Sequence, residues 1–184
     1  MTDAQKGTIA HLATAALLSF AATVDPKMLG TDAVIKRINS YVTQGADVTA
    51  KNDDGETPAH IFARRDSFSA LQALLAASGN LDVLCAADNE NMTPLMRLAE
   101  NNNSDINQYL QFDAFRTELT RCNNKGQTIA YLFAEWGNED MVSYLLELCP
   151  DVKMQGIMHA VQNSTKMTPH EKADARETFR YAGF

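Results

Sequence analysis

The sequence predicts an all-α solenoid of about five helix-turn-helix units with β-turn tips, and three recurrences predict it. Thr57-Pro58, with Ala63 six residues on, returns as Thr93-Pro94 with Ala99 and, more weakly, as Thr128-Ile129 with Ala134. The starts are 36 and then 35 residues apart (57 to 93, 93 to 128), a period proper to stacked helical repeats. Leu74-Leu75 and Leu145-Leu146 each fall 17 and 18 residues after their Thr. On this register residues 1–184 form one domain, with units at about 8–50, 51–86, 87–121, 122–152 and 153–184 and divergent caps at both ends.

The first unit follows from the others, because Thr8-Ile9-Ala10-His11-Leu12 parallels Thr57-Pro58-Ala59-His60-Ile61. From 8 to 57 is 49 residues, some 13 more than the next interval. The excess is assigned to Ala21–Gly30, expected to protrude as a loop that adds no core. A helix then opens at Thr31-Asp32 and carries Val34, Ile35, Ile38 and Val42 at helical spacing.

In the second unit Asp54-Gly55-Glu56 forms a tight turn, with glycine supplying the φ > 0 conformation. Thr57 caps the next helix and Pro58 takes the first helical position, where a missing N–H costs nothing. Leu71, Leu74 and Leu75 mark the second helix. The third unit has Asn91 in place of the turn glycine. Its second helix, about 104–112, has Leu110-Gln111 where two leucines are expected, and 113–120 is expected to be an irregular connection. Gly126 restores the turn in the fourth unit, followed by Val142, Leu145 and Leu146. In the fifth, Ile157-Met158-His159-Ala160 repeats the pattern with Gly156 in the Thr place. Thr168-Pro169-His170-Glu171 is a capping box opening a final helix whose later half is charged (Lys172, Asp174, Arg176, Glu177, Arg180).

Composition narrows the function classes. A hydrophobic content of 45% and a charged content of 21% suit a folded chain of one domain's length. A net charge of −7 without a Lys/Arg cluster argues against nucleic acid as partner. Cys85, Cys122 and Cys149 contain no CxxC, so neither a disulfide framework nor a zinc site is indicated, and reduced thiols fit a cytoplasmic protein. Residues 8–24 are apolar after Lys6, but Asp3 and His11 break the pattern of a secretory leader. No stretch is long and apolar enough for membrane insertion. Phosphate-loop and dinucleotide motifs are absent, and no cofactor or metal is expected.

The segments Asp54-Gly55-Glu56-Thr57-Pro58-Ala59-His60 and Gly45-Ala46-Asp47-Val48 resemble the ankyrin repeat, closely from Gly45 to Ala63 and less so through Asp151-Val152. The resemblance implies a stack of β-turns and antiparallel helix pairs without a catalytic centre of its own. It implies that His11, His60 and His159, at one repeat position, hydrogen-bond turn backbone. It implies a non-enzymatic module, a monomer when free, that binds another protein through turn tips and the concave face. Carried over by register, that surface comprises Asp53, Asp54, Glu56, Arg64 and Arg65, then Glu90, Met92 and Glu100, then Lys125, Gln127, Glu135 and Trp136.

Met92 and the single tryptophan are large apolar groups at positions expected to be exposed, so Trp136 is expected to anchor the partner or pack near Met158. Chains of this kind resemble both scaffold proteins and bacterial effectors delivered into a host cytosol. Two alternatives stay open: a hydrolase or transferase centred on Cys149 with Asp151 and His159, and a self-associating structural protein.

Overall fold

The computed structural model describes residues 2–110, 115–149 and 154–181; the Asp151-Val152 match and Asp151 lie outside them. The described residues are helical, without strand. Contacts divide the chain into two compact units, Met1–Arg97 and Leu98–Phe184.

The first unit opens with α1 (Asp3–Thr23), capped by a box between Thr2 and Gln5. The register expected for this end is therefore wrong: Thr8 lies inside the helix, its hydroxyl bonded to the Ala4 carbonyl at 3.0 Å, and His11 is exposed. The extra length is mostly α1 itself, which buries Ala13, Leu17 and Ala21. The region expected as a free loop starts inside this helix, continues as a 3-10 turn over Pro26–Met28, and is held from behind. Arg65 donates to the Ala21 carbonyl (2.6 Å) and to the Val24 carbonyl, satisfying oxygens that the helix end leaves open.

Helix α2 (Asp32–Thr43) buries Val34, Ile38 and Tyr41 and packs on α4 (Phe68–Ser78), whose Leu71 and Leu74 are fully buried. Each such side chain contributes roughly 1.5–3 kcal/mol by leaving water. Helix α3 (Pro58–Arg64) is short and buried from Pro58 through Ala63; Ala59 and Ala63, without bulk, let α1 and α4 approach it. Helix α5 (Pro94–Glu100) contains the division between the units.

In the second unit the helix expected at about 104–112 begins as a 3-10 turn (Ser104–Ile106) and continues as α6 (Asn107–Leu110), its last expected residues lying outside the described ones. The irregular connection expected at 113–120 falls partly outside the described residues. Its later part is helix α7 (Arg116–Thr120), with Leu119 and Glu118 buried. Helix α8 (Ile129–Ala134) pairs with α9 (Glu139–Leu148) through Phe133, Val142 and Leu145. Helix α10 (Met154–Asn163) packs on α8 and begins before Gly156, so Gly156 is not a cap. Helix α11 (Pro169–Tyr181) starts at the predicted box, Thr168 N–H to Glu171 Oε2 at 2.7 Å and Glu171 N–H to Thr168 Oγ1 at 3.3 Å.

Candidate functional site

Two successive turns of the first unit, Asn52–Glu56 and Asp88–Met92, share one construction. A side-chain oxygen at the first position collects two backbone N–H groups: Asn52 Oδ1 accepts from Asp54 (3.0 Å) and Glu56 (2.8 Å). Asp88 Oδ1 accepts from Glu90 (2.8 Å) and Met92 (2.9 Å). Gly55 and Asn91 follow in the left-handed conformation, with φ of 76° and 57°.

The two turns are bonded to each other. The Asn89 N–H donates to the Asp54 carbonyl at 3.0 Å and its side-chain amide to the Asp53 carbonyl at 2.9 Å. Asn89 lies so close that a Cβ on Gly55 would stand 2.5 Å from Asn89 Oδ1 and 2.9 Å from Asn89 N. Gly55 is thus required twice, for its φ and for this approach.

Behind the turns, His60 is sealed from solvent. The Thr57 N–H donates to His60 Nδ1 (3.1 Å), which places the ring proton on Nε2, 3.1 Å from the Met92 carbonyl. Burial pushes the His60 pKa down, and the Met92 bond with the charges of Asp88 and Glu56 does not restore it. His60 is therefore a neutral clasp between two repeats. Of the three histidines expected in this role it alone has it; His159 is exposed and meets the Tyr131 hydroxyl at 3.3 Å.

Between the turns and the helices lies a cleft of about 340 Å³ with Asp54, Glu56, Arg64, Asp88, Asn89, Glu90 and Arg97 on its walls. Arg64 Nε meets Glu56 Oε1 at 2.8 Å. Arg97 Nη2 bridges Asp88 Oδ2 (2.7 Å) and Glu90 Oε2 (2.8 Å). Burial would raise the Asp88 pKa, but the Arg97 hydrogen bond and the Met92 and Glu90 amides outweigh it and hold the carboxyl below its ordinary range. Four carboxylates face two guanidinium groups, so the cleft is anionic.

Of the residues expected from the register, the structure brings Asp54, Glu56, Arg64 and Glu90 together here, with Asp53 exposed beside them. Three expectations need correction. Glu56 (5% exposed) and Met92 (2%) are not exposed tips: both follow the turn residue that folds the chain back toward the helices. Arg65 faces the end of α1 rather than the cleft. Asn52, Asp88 and Arg97 were missed, although Asn52, Asp88 and Asn123 each precede their Thr by five residues, the same period as the threonines themselves.

In the second unit, Asn123 Oδ1 holds the turn by accepting from Lys125 (2.9 Å) and Gln127 (3.0 Å). Trp136 is 39% exposed and packs under a cation: Lys166 Nζ is 4.3 Å from the ring centroid. The indole N–H (2.9 Å) and Lys166 (3.0 Å) both donate to the Glu100 carbonyl. Glu135 sits in the same cluster, its pKa raised by burial against the opposing pull of Lys166. The tryptophan is thus neither a free anchor nor packed into the core. Sequence gave no sign of Lys166, which reaches Glu100 from 66 residues away.

Among the described residues no group of side chains has the makings of a metal site, and no helix is long and apolar enough to cross a membrane. Comparison with known families matches residues 29–118 to ankyrin repeats in three copies, covering the first-unit turns and His60. No curated protein matches the chain. The shared turn, the threonine-proline helix start, the buried histidine clasp and the family match together make residues 29–118 of this chain ankyrin repeats.

Proposed function

We propose that the chain binds a basic segment of a partner protein at the anionic cleft of the first unit. Ankyrin repeats are protein-interaction modules, and what selects a basic partner is the cleft's own excess of carboxylates. Asp54 and Glu90, the exposed members, steer the encounter and govern its rate more than its final strength. In the second unit, Glu100, Lys125, Gln127, Glu135 and the exposed part of Trp136 extend the assignment. A non-enzymatic scaffold or regulator, in a host cytosol or its own, is the role that suits such a module. His159 is turned to Tyr131, which gives the Cys149-centred alternative no support.

Asp54→Asn combined with Glu90→Gln removes two charges and leaves the turn bonds of Asn52 and Asp88 in place. With a lysine- and arginine-rich peptide as probe, association at low salt should slow about tenfold, the scale of electrostatic steering. Equal rates for both chains would rule out the cleft as the contact.

A further inference from the structure

The arginines of this chain divide into two groups. Arg37 donates to the Tyr41 hydroxyl at 2.8 Å, Arg64 and Arg97 pair with carboxylates in the cleft, Arg65 holds carbonyls, and Arg121 pairs with Glu118 at 3.2 Å. Arg116 is engaged as well. Arg176 and Arg180 form no hydrogen bond or ion pair among the described residues. They stand one turn apart on α11, about 6 Å along its axis. Their face flanks the one that buries Ala175 and Phe179, about 100° around the helix from it. With Ala173 and Glu177 they line a depression of about 580 Å³, and the small side chain of Ala173 leaves its floor open.

A terminal helix of a repeat array needs a water-compatible outer face, and lysines or mixed charges meet that need. Two guanidinium forks that flank a hollow and have no partner among the described residues do something more specific. Each presents paired N–H donors matched to a carboxylate, and a spacing of one helical turn matches two acidic residues four apart on a partner helix. We propose that the outer face of α11 is a second docking surface, which takes an acidic helical segment of a partner through Arg176 and Arg180. The complementarity is opposite in sign to that of the turn cleft. The one carboxylate on this face, Glu177, opposes a misplaced acidic residue and so fixes the register of the bound segment.

The test uses the full chain and a fluorescein-labelled alanine-based helical peptide with two glutamates four residues apart, read by anisotropy at low and moderate salt. The same peptide with glutamines is the control. Wild type should bind the glutamate peptide at least about tenfold more tightly than the glutamine peptide. Arg176→Gln with Arg180→Gln should lose about tenfold, and Arg176→Lys with Arg180→Lys should also bind more weakly than wild type, because lysine keeps the charge but not the fork. Glu177→Gln should tighten binding two- to threefold. Far-ultraviolet circular dichroism checks that each variant is folded, and single-arginine variants replace the pair if it is not. Unchanged affinity in the glutamine variants, or equal affinity of the two peptides, would overturn the proposal. Lysine variants equal to wild type would do so too, since the surface would then be only a diffuse charge.

Discussion

At the fourth position of the repeat, counted from its threonine, Met1–Arg97 has His60, closed off between Thr57 and the Met92 carbonyl, whereas Leu98–Phe184 has Tyr131, its ring leaning on an exposed histidine. The buried titratable groups differ in the same way. His60 and Asp88 have pKa values pushed down in the first unit; in the second, burial pushes up those of Glu118 and Glu135. The carboxyl groups are thus shifted in opposite directions in the two units, Asp88 down and Glu118 and Glu135 up. A repeat fixes where a side chain stands, and its neighbours decide whether that place is dry, charged or wet.

The strongest test contrasts the two turn glycines. Both have positive φ, 76° at Gly55 and 75° at Gly126, but nothing lies within 4 Å of a Cβ at Gly126. Gly126→Ala should cost only the left-handed penalty of about 1 kcal/mol, while Gly55→Ala, which also collides with Asn89, should cost about 3 kcal/mol. Urea denaturation measures both, and equal losses would mean that Asn89 yields at no cost.

His60→Ala should follow at about 2–3 kcal/mol, since it opens a cavity and leaves the buried Thr57 N–H without its acceptor. His159→Ala should change stability by less than about 0.5 kcal/mol. The proton linkage has a definite sign. Folded His60 binds fewer protons than the unfolded chain, so its contribution is intact above about pH 6.5 and declines as the pH falls through the window below. The Asp88 contribution is lost only below the ordinary carboxylate range, near pH 4. Glu118 and Glu135 hold their protons longer when folded, so their contribution grows as the pH falls toward about 4.3. Hydrogen exchange corrected for intrinsic rates should show amides of Met1–Arg97 losing protection between about pH 7 and 5, while those of Leu98–Phe184 hold or gain. Uniform behaviour would abolish the contrast.

Apart from the His159 control, the smallest effect is expected at Lys166. Lys166→Gln removes the cation above the tryptophan and should cost about 0.5–1 kcal/mol, the worth of an exposed cation–π contact. Because Trp136 is the single tryptophan, its emission reports the change directly. A spectrum identical to wild type would show that the ammonium does not sit on the ring.

How far the sequence was legible follows from the range of the forces involved. The turns, the threonine helix starts and the buried leucines of α4 and α9 were readable because each is a local rule repeated at a fixed interval. The ends were not. Thr8 matches the motif by letter and Gly156 stands in its Thr place, but α1 and α10 both begin before them, and a residue already inside a helix has no end to cap. The acidic members of the cleft were legible at Asp54, Glu56 and Glu90, whereas Arg97 was missed because its role depends on a helix turning it back toward Asp88. Met92 was misjudged because turn tips are usually exposed, and here the residue after the left-handed Asn91 points inward. Arg65 and Lys166 act on backbone carbonyls far along the chain, a contact that leaves no pattern in sequence.

The fit between Gly55 and Asn89 has a consequence for building new arrays from this one. Neighbouring repeats are keyed: the absence of a side chain on one is the seat of an amide on the next. A recombination point between them, for instance after Ala86, would separate lock from key and could join a substituted turn to an intact Asn89. Shuffled libraries should therefore carry positions 55 and 89 as one heritable unit, with the crossover moved outside the pair.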